Sequence, residues 1–262
     1  MAESTLSIRL DTDGFSFSVY DPIHNTIFFS RKEIDPVISF TANLKQVFRE
    51  ADFLNHPYKR IRVLFVNRRF TFIPLELFDE EQADTLFYYN QMPKENEVVL
   101  YNVLRKNNMV VLWGVDKSVY NFLNERYDSP KYYSQASSMI EYFSVKSRLG
   151  NTKKMYAYIR NNALDLYCFE RGHLLIANSF QCKNDEDRQY YLLYTWKQLN
   201  MDQERDELHL VAEFGGKSKL QSELNRFIKQ VFIINPSSEI NRATMDGGEK
   251  IPFDMQILIS NE

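Results

Sequence analysis

The order strand, strand, strand, helix, strand occurs twice along this chain, and that duplication constrains the fold more than any single motif. In the first copy, "LSIRLDTDGFSFSVYDPIHNTIFFSRKE", Leu6, Ile8 and Leu10 share one face of a strand, and Phe15, Phe17 and Val19 continue on the next. Asp13-Gly14 is the turn signal between them, and Asp21-Pro22 with His24-Asn25 marks a second turn before a third strand. Leu44, Val47, Phe48, Ala51 and Leu54 then recur at helical spacing. Ile61 opens "IRVLFVN", a nearly continuous apolar run of the kind that is buried on both faces.

The second copy begins at Lys154. "KMYAYIRNNALDLYCFERGHLLIANSF" predicts three strands with turns at Asn161-Asn162 and Arg171-Gly172. "NDEDRQYYLLYTWKQLN" predicts a helix whose acidic start suits the helix dipole and whose Leu192, Trp196 and Leu199 recur at helical spacing. "ELHLVAEF" follows as a strand of the buried type. The copies share almost no residue identity, so the repeat is one of pattern.

Between them, "NEVVLYNVLRKNNMVVLWGV" predicts a hairpin with Lys106, Asn107 and Asn108 at its tip. Two helical patterns follow, one with Val119, Phe122, Leu123 and Tyr127, the other with Met139, Ile140 and Phe143. Gly150-Asn151 divides the chain into halves at 1–150 and 151–262. After the second copy come a helix with Leu220, Leu224, Phe227 and Ile228, the strand "QVFIIN", a polar loop "PSSEINRATMDGGEK", and "FDMQILIS", expected to close the chain as a strand.

At 262 residues, the chain can bury sizeable cores. Charged residues are 26% and hydrophobic residues 44%, as in ordinary globular proteins. The formal charge of -3 implies no global attraction to nucleic acid or to anionic membrane. No stretch approaches the ~18 apolar residues of a membrane span, and no signal peptide opens the chain, so the expected compartment is the cytoplasm. Cys168 and Cys182 are the only cysteines; two inert thiols suit that compartment, with a single disulfide as the alternative.

Three stretches bear on chemistry: "LDTDGFSF" in the first hairpin, "IRNNALDL" in the hairpin opening the second half, and "LVAEFGGKSKLQSEL" at a strand-to-helix turn. With the element order, they resemble the actin-like ATPase superfamily, and the chain as a whole is similar to an uncharacterised bacterial family assigned that fold. The resemblance covers nearly the whole chain. It implies an α/β protein with a duplicated actin-like, ribonuclease-H-like architecture: two mixed sheets flanked by helices, with a cleft between. It also implies ATP with magnesium as the ligand, where the motifs are intact.

Here they depart from the pattern. The superfamily's first hairpin carries Asp-x-Gly-Thr/Ser, but neither Asp11 nor Asp13 stands two residues before Gly14, and Ser16 does not directly follow it. The second hairpin has neither a glycine nor a suitably placed aspartate. The third motif, a strand ending in Gly-Gly that packs on adenosine, is matched by Gly215 and Gly216, followed by Lys217 and Ser218. Gly216-Lys217-Ser218 also ends a nucleotide P-loop, but that motif requires a first glycine where Val211 stands. A tight turn with Ser218 as helix cap is the plainer account.

The remaining candidates have structural readings. Glu76 could position a water, yet an acidic helix start capped by Asp79 explains the same residues, and Asp185, Glu186 and Asp187 fit that pattern too. His24, His56, His173 and His209 lack metal-ligand spacing. Arg68 and Arg69 predict a solvated turn. The rings of "TLFYYNQM" and "DRQYYLLYTW" could face a partner or pack on a sheet.

The expectation is thus a nonenzymatic scaffold or partner-binding protein, with no catalytic or metal residues, an unidentified protein partner and no nucleic acid. The alternative is an ATP-binding protein or phosphotransferase using Asp11, Asp13, Gly14, Gly215, Gly216, Lys217 and Ser218.

Overall fold

A computed structural model of the chain describes residues 3–212, 217–236, 244–246 and 251–260. It is an α/β protein whose residues group into two compact units, 1–138 with 240–262, and 139–239. Among the described residues no helix is long and apolar enough to cross a membrane.

The first unit opens with the expected meander, β1 (Thr5–Asp11), β2 (Gly14–Asp21) and β3 (Thr26–Glu33). Helix α1 (Phe40–Glu50) leads to β4 (Arg60–Phe65), which lies parallel to β1. An inserted layer follows: β5 (Phe70–Pro74), α2 (Ala83–Asn90), β6 (Glu97–Leu104), β7 (Met109–Asp116) and α3 (Lys117–Arg126). Strand β8 (Lys131–Ser134) then returns to the main sheet parallel to β4. The hairpin β6–β7 is the expected one, and β5 joins it in a three-stranded sheet of order β5-β7-β6. Asn102 on β6 acts as the missing strand partner of β8, donating to the Tyr132 carbonyl at 2.9 Å and accepting from the Ser134 amide at 3.0 Å. An edge strand is thereby closed without a further strand.

Alternation along β1 and β2 gives the main sheet two unlike faces. One is apolar: Leu6, Ile8, Leu10, Phe15 and Phe17 are buried, with Phe15 edge-on to Phe40 and Phe17 to Phe53, and α1 supplies Leu44, Val47 and Phe48 to the same core. The other face is polar yet equally buried, with Ser7, Arg9, Asp11, Ser16 and Ser18.

Helix α4 (Gln135–Lys146) carries the chain into the second unit. There β9 (Lys153–Ile159), β10 (Ala163–Glu170) and β11 (His173–Gln181) form the second meander, followed by α5 (Asp185–Gln198), β12 (Glu207–Ala212), α6 (Lys217–Leu224) and β13 (Gln230–Ile233). The sheet order is β11-β10-β9-β12-β13, with β12 parallel to both β9 and β13. Leu192 and Trp196 of α5 and Leu220 and Leu224 of α6 pack on Met155, Leu164, Leu166 and Leu208. Cys168 and Cys182 are free and buried. The Cys182 amide donates to Asn162, next to the start of β10, whereas Cys168 lies five residues along that strand from Ala163. At ~3.3 Å per residue the thiols are far outside disulfide reach.

Two expectations for the chain's end are corrected. Within the stretch expected as a polar loop, Thr244–Asp246 forms a strand, β14, parallel to β3. "FDMQILIS" is not a strand but a helix, α7 (Phe253–Ser260). It lies on the polar face of the first sheet, with Met255 and Ile259 against Ile27 and Phe29, and Leu258 against Leu64. Every residue from Phe253 to Ile259 is buried. A helix buried all round has no polar face, so its sequence carries no 3.6-residue period to read.

On the second sheet's other face, Phe143, Tyr156, His209 and Phe232 stack in sequence, with centroid spacings of 4.3, 4.8 and 5.1 Å. His209 Nε2 lies 2.8 Å from Glu207 Oε2, and Lys154 Nζ reaches the same oxygen at 3.3 Å. Burial holds the His209 imidazole below its ordinary value of 6.5; Glu207 opposes this and Lys154 reinforces it. Below about pH 6.5 the unfolded chain therefore binds a proton that the folded imidazole refuses, so stability falls with pH from there and is unaffected above it. Denaturation midpoints measured across that window should show this slope, and His209→Gln should flatten it. Equal slopes in both proteins would remove His209 from the account.

Candidate functional site at the first hairpin

The register Asp11↔Gly14 leaves Thr12 and Asp13 as a two-residue turn. Asp13 is exposed there, while Asp11 and Gly14 are buried. A Cβ on Gly14 would stand 2.8 Å from the Lys32 carbonyl oxygen, so glycine is what lets β2 and β3 approach at this point.

Asp11 is held from two sides. Its Oδ1 accepts from the Thr12 amide at 2.7 Å, and its Oδ2 lies 3.0 Å from Arg9 Nη2. Arg9 is two residues back on the same face of β1, and its Nε donates to Asp254 Oδ1 of α7 at 2.7 Å. All three side chains are buried. Arg9 thus sits between two carboxylates, one from each end of the chain.

Beyond the hairpin a cavity of about 270 Å³ opens inside the first unit. Leu10, Phe40, Phe65 and Val66 line it on the main-sheet side, and Asn67, Arg69, Glu97 and Asp116 supply polar groups. The order of those groups comes from the inserted layer. Arg69, expected in a solvated turn, instead makes a bidentate pair with Glu97 at 3.1 and 2.8 Å and donates to the Met92 carbonyl. A side chain on Gly114 would collide with the Glu97 carboxylate, its Cβ falling 2.3 Å from Oε1. Asn67 donates to the Gly114 carbonyl at 3.0 Å. Asp116 caps α3 through the amides of Ser118 and Val119, and Asn96 donates to its other oxygen at 3.1 Å.

The second hairpin is built differently. In both halves the inner strand and its parallel neighbour end on matching pairs, Leu10↔Phe65 and Ile159↔Ala212. The next residue is Asp11 in the first half and Arg160 in the second. Arg160 donates to Asp165 at 2.8 Å through Nε and 3.3 Å through Nη2, and Ser179 Oγ donates to the same carboxylate. From α5, Arg188 donates to the carbonyls of Arg160 and Asn161 and is paired with Asp185.

Gly215 and Gly216 lie outside the described residues. Lys217 begins α6 with Ser218 beside it, just past the end of β12. Among the described residues no three His, Cys, Asp or Glu side chains gather as metal ligands would. Arg9, Glu97 and Arg160 were not singled out from the sequence, and Arg69 was expected in a solvated turn. Arg9 alone had a local signal, an opposite charge two residues away on the same strand face.

A protein-family model described as "Protein of unknown function (DUF3822)" matches residues 1–231. A crystal structure from Bacteroides thetaiotaomicron VPI-5482, described as a protein with actin-like ATPase fold and unknown function, is 55% identical. It aligns over 100% of this chain and 97% of its own with a TM-score of 0.88. A chain of the PilM-PilN type IV pilus biogenesis complex is 10% identical and aligns over 99% of this chain and 98% of its own, with a TM-score of 0.62. No curated protein matches in sequence. The actin-like fold expected from the duplicated element order is therefore shown.

Proposed function

The chain belongs to the DUF3822 family of proteins of unknown function, and we propose that it is a nonenzymatic actin-like scaffold, a cytoplasmic protein that binds other proteins. The observation that carries this reading is the Asp11–Arg9–Asp254 triad. Phosphoryl transfer on such a fold needs a divalent cation held by carboxylate oxygens beside the phosphates. Asp11 is the buried carboxylate of the first hairpin, and Arg9 and the Thr12 amide already engage its two oxygens. A cation bound by Asp11 would stand beside Arg9, two positive charges at short range.

The second hairpin supports the same reading. The residue that follows its strand is Arg160, a cation in a buried pair with Asp165, and not an acceptor for metal or a glycine that lets phosphate approach. The residues at each hairpin thus do not fit a magnesium nucleotide.

Calorimetric titration with ATP, with and without magnesium, tests this. The expected result is no saturable heat and no rise in melting temperature at millimolar ATP. Saturable binding in the micromolar range would overturn the reading and return Asp11, Asp13, Gly14, Gly215, Gly216, Lys217 and Ser218 to the position of nucleotide ligands.

A further inference from the structure

The cavity beside the first hairpin, about 270 Å³, has an apolar wall and a polar corner. Phe65, Val115 and Val119 in the wall are buried, and Phe40 is half-buried. Water against such a wall forgoes hydrogen bonds that it makes in bulk, so an apolar group that displaces it is favoured. An apolar cavity of ~150 Å³ already admits benzene, so this one has room for a substituted ring.

The corner is built by the inserted layer. Arg69 donates to Glu97 through Nε and Nη2 and to the Met92 carbonyl through Nη2, and its guanidinium lies 5.7 Å from the centre of the Phe87 ring. The group is thus fixed from three sides. Nη1 is left over: among the described residues it has no partner, and it is open to solvent. A guanidinium carries five N–H donors, and Nη1 holds two of them. Because the fork is already oriented, donating one of these costs little further order.

Charge selects what Nη1 can take. Asp11, Glu95, Glu97 and Asp116 line the cavity against Arg69 and Lys94, a balance of -2 that disfavours an anion. A cation is repelled at the corner by Arg69 itself. A neutral oxygen remains, and a carbonyl oxygen accepts without bringing a donor that would need its own partner. We propose that the cavity binds an uncharged, mostly apolar molecule through a carbonyl oxygen, which accepts from Arg69 Nη1 while the apolar remainder lies against Phe65, Val115 and Val119. Glu97 keeps its pair with Arg69 in the complex, so neither charge is left alone. Binding here does not depend on whether the chain binds nucleotide.

The experiment titrates the full chain with acetophenone, ethylbenzene, benzoate and benzylammonium, which share one ring and differ in the polar group, and follows the valine methyl groups by NMR. The expected result is saturable, about millimolar binding of acetophenone, with nuclear Overhauser contacts to the methyls of Val115 and Val119. The other three should bind at least about tenfold more weakly, the difference that one hydrogen bond to a charged group makes. Val119→Phe, which puts a ring into the cavity, should remove acetophenone binding; if that variant does not fold, the Overhauser contacts in the wild-type protein still locate the probe. Acetophenone that shows no saturable contact with those two valines overturns the proposal. So does any of the other three probes binding as tightly as acetophenone.

Discussion

Arg9→Ala should cost the protein about 3–5 kcal/mol, the penalty typical of removing one partner from a buried ion pair. Arg9 is 5% exposed, and Asp254, at 0%, takes its Nε hydrogen bond. Without the guanidinium, Asp254 keeps the Met255 amide but loses its cation, and Asp11 loses the same charge. Among the described residues Asp254 Oδ2 has no hydrogen-bond partner, so there is little slack to absorb the loss. Arg9→Lys should recover only part of the stability, because one ammonium cannot reach two carboxylates through two different nitrogens as the guanidinium does. Chemical denaturation of the three proteins measures both effects. An Arg9→Ala variant within about 0.5 kcal/mol of wild type, the range of an ordinary surface substitution, would show that the triad does not hold this hairpin to the C-terminal helix. Gly14→Ala is a useful control, since it strains the same hairpin through the Lys32 carbonyl without touching the triad.

That triad also shows where sequence reading stops. The alternation of β1 and β2 was legible because each strand has one apolar face, and the duplicated order followed from such local patterns. Asp11 was legible as a carboxylate at a hairpin. Its pairing with Arg9, two residues back, had a local signal, but the sharing of Arg9 with Asp254 had none, because Asp254 is 245 residues from Arg9 in sequence. No local pattern announces that contact, and the helix bearing Asp254 was itself hidden by being buried on every side. Arg69 misled for a similar reason. A pair of arginines in a turn resembles a solvated surface, and only the arrival of Glu97 from β6 shows that Arg69 is bound. Gly114 records that arrival, since the Glu97 carboxylate occupies the space its side chain would need. Local chemistry thus gave the elements, and long-range pairing decided what their charged groups could still do.

Asp165→Ala should be as damaging as Arg9→Ala, again about 3–5 kcal/mol. Asp165 is 1% exposed and receives Arg160 through two nitrogens and Ser179 through its hydroxyl. Removing it leaves a guanidinium buried at a hairpin that already draws in Arg188. The informative comparison is the double variant Arg160→Met with Asp165→Leu, which deletes both charges and keeps apolar volume. A buried pair is often no better than a hydrophobic replacement, because desolvation cancels most of the attraction. The double variant should therefore recover most of the stability that Asp165→Ala loses, as measured by denaturation midpoint. If it does, the hairpin tolerates losing its charges, as expected where they serve packing and not phosphate. If it stays as unstable as the single variant, the cost lies in the geometry the Arg160–Asp165 pair imposes on the turn, and the pair is itself a specific structural element of this hairpin.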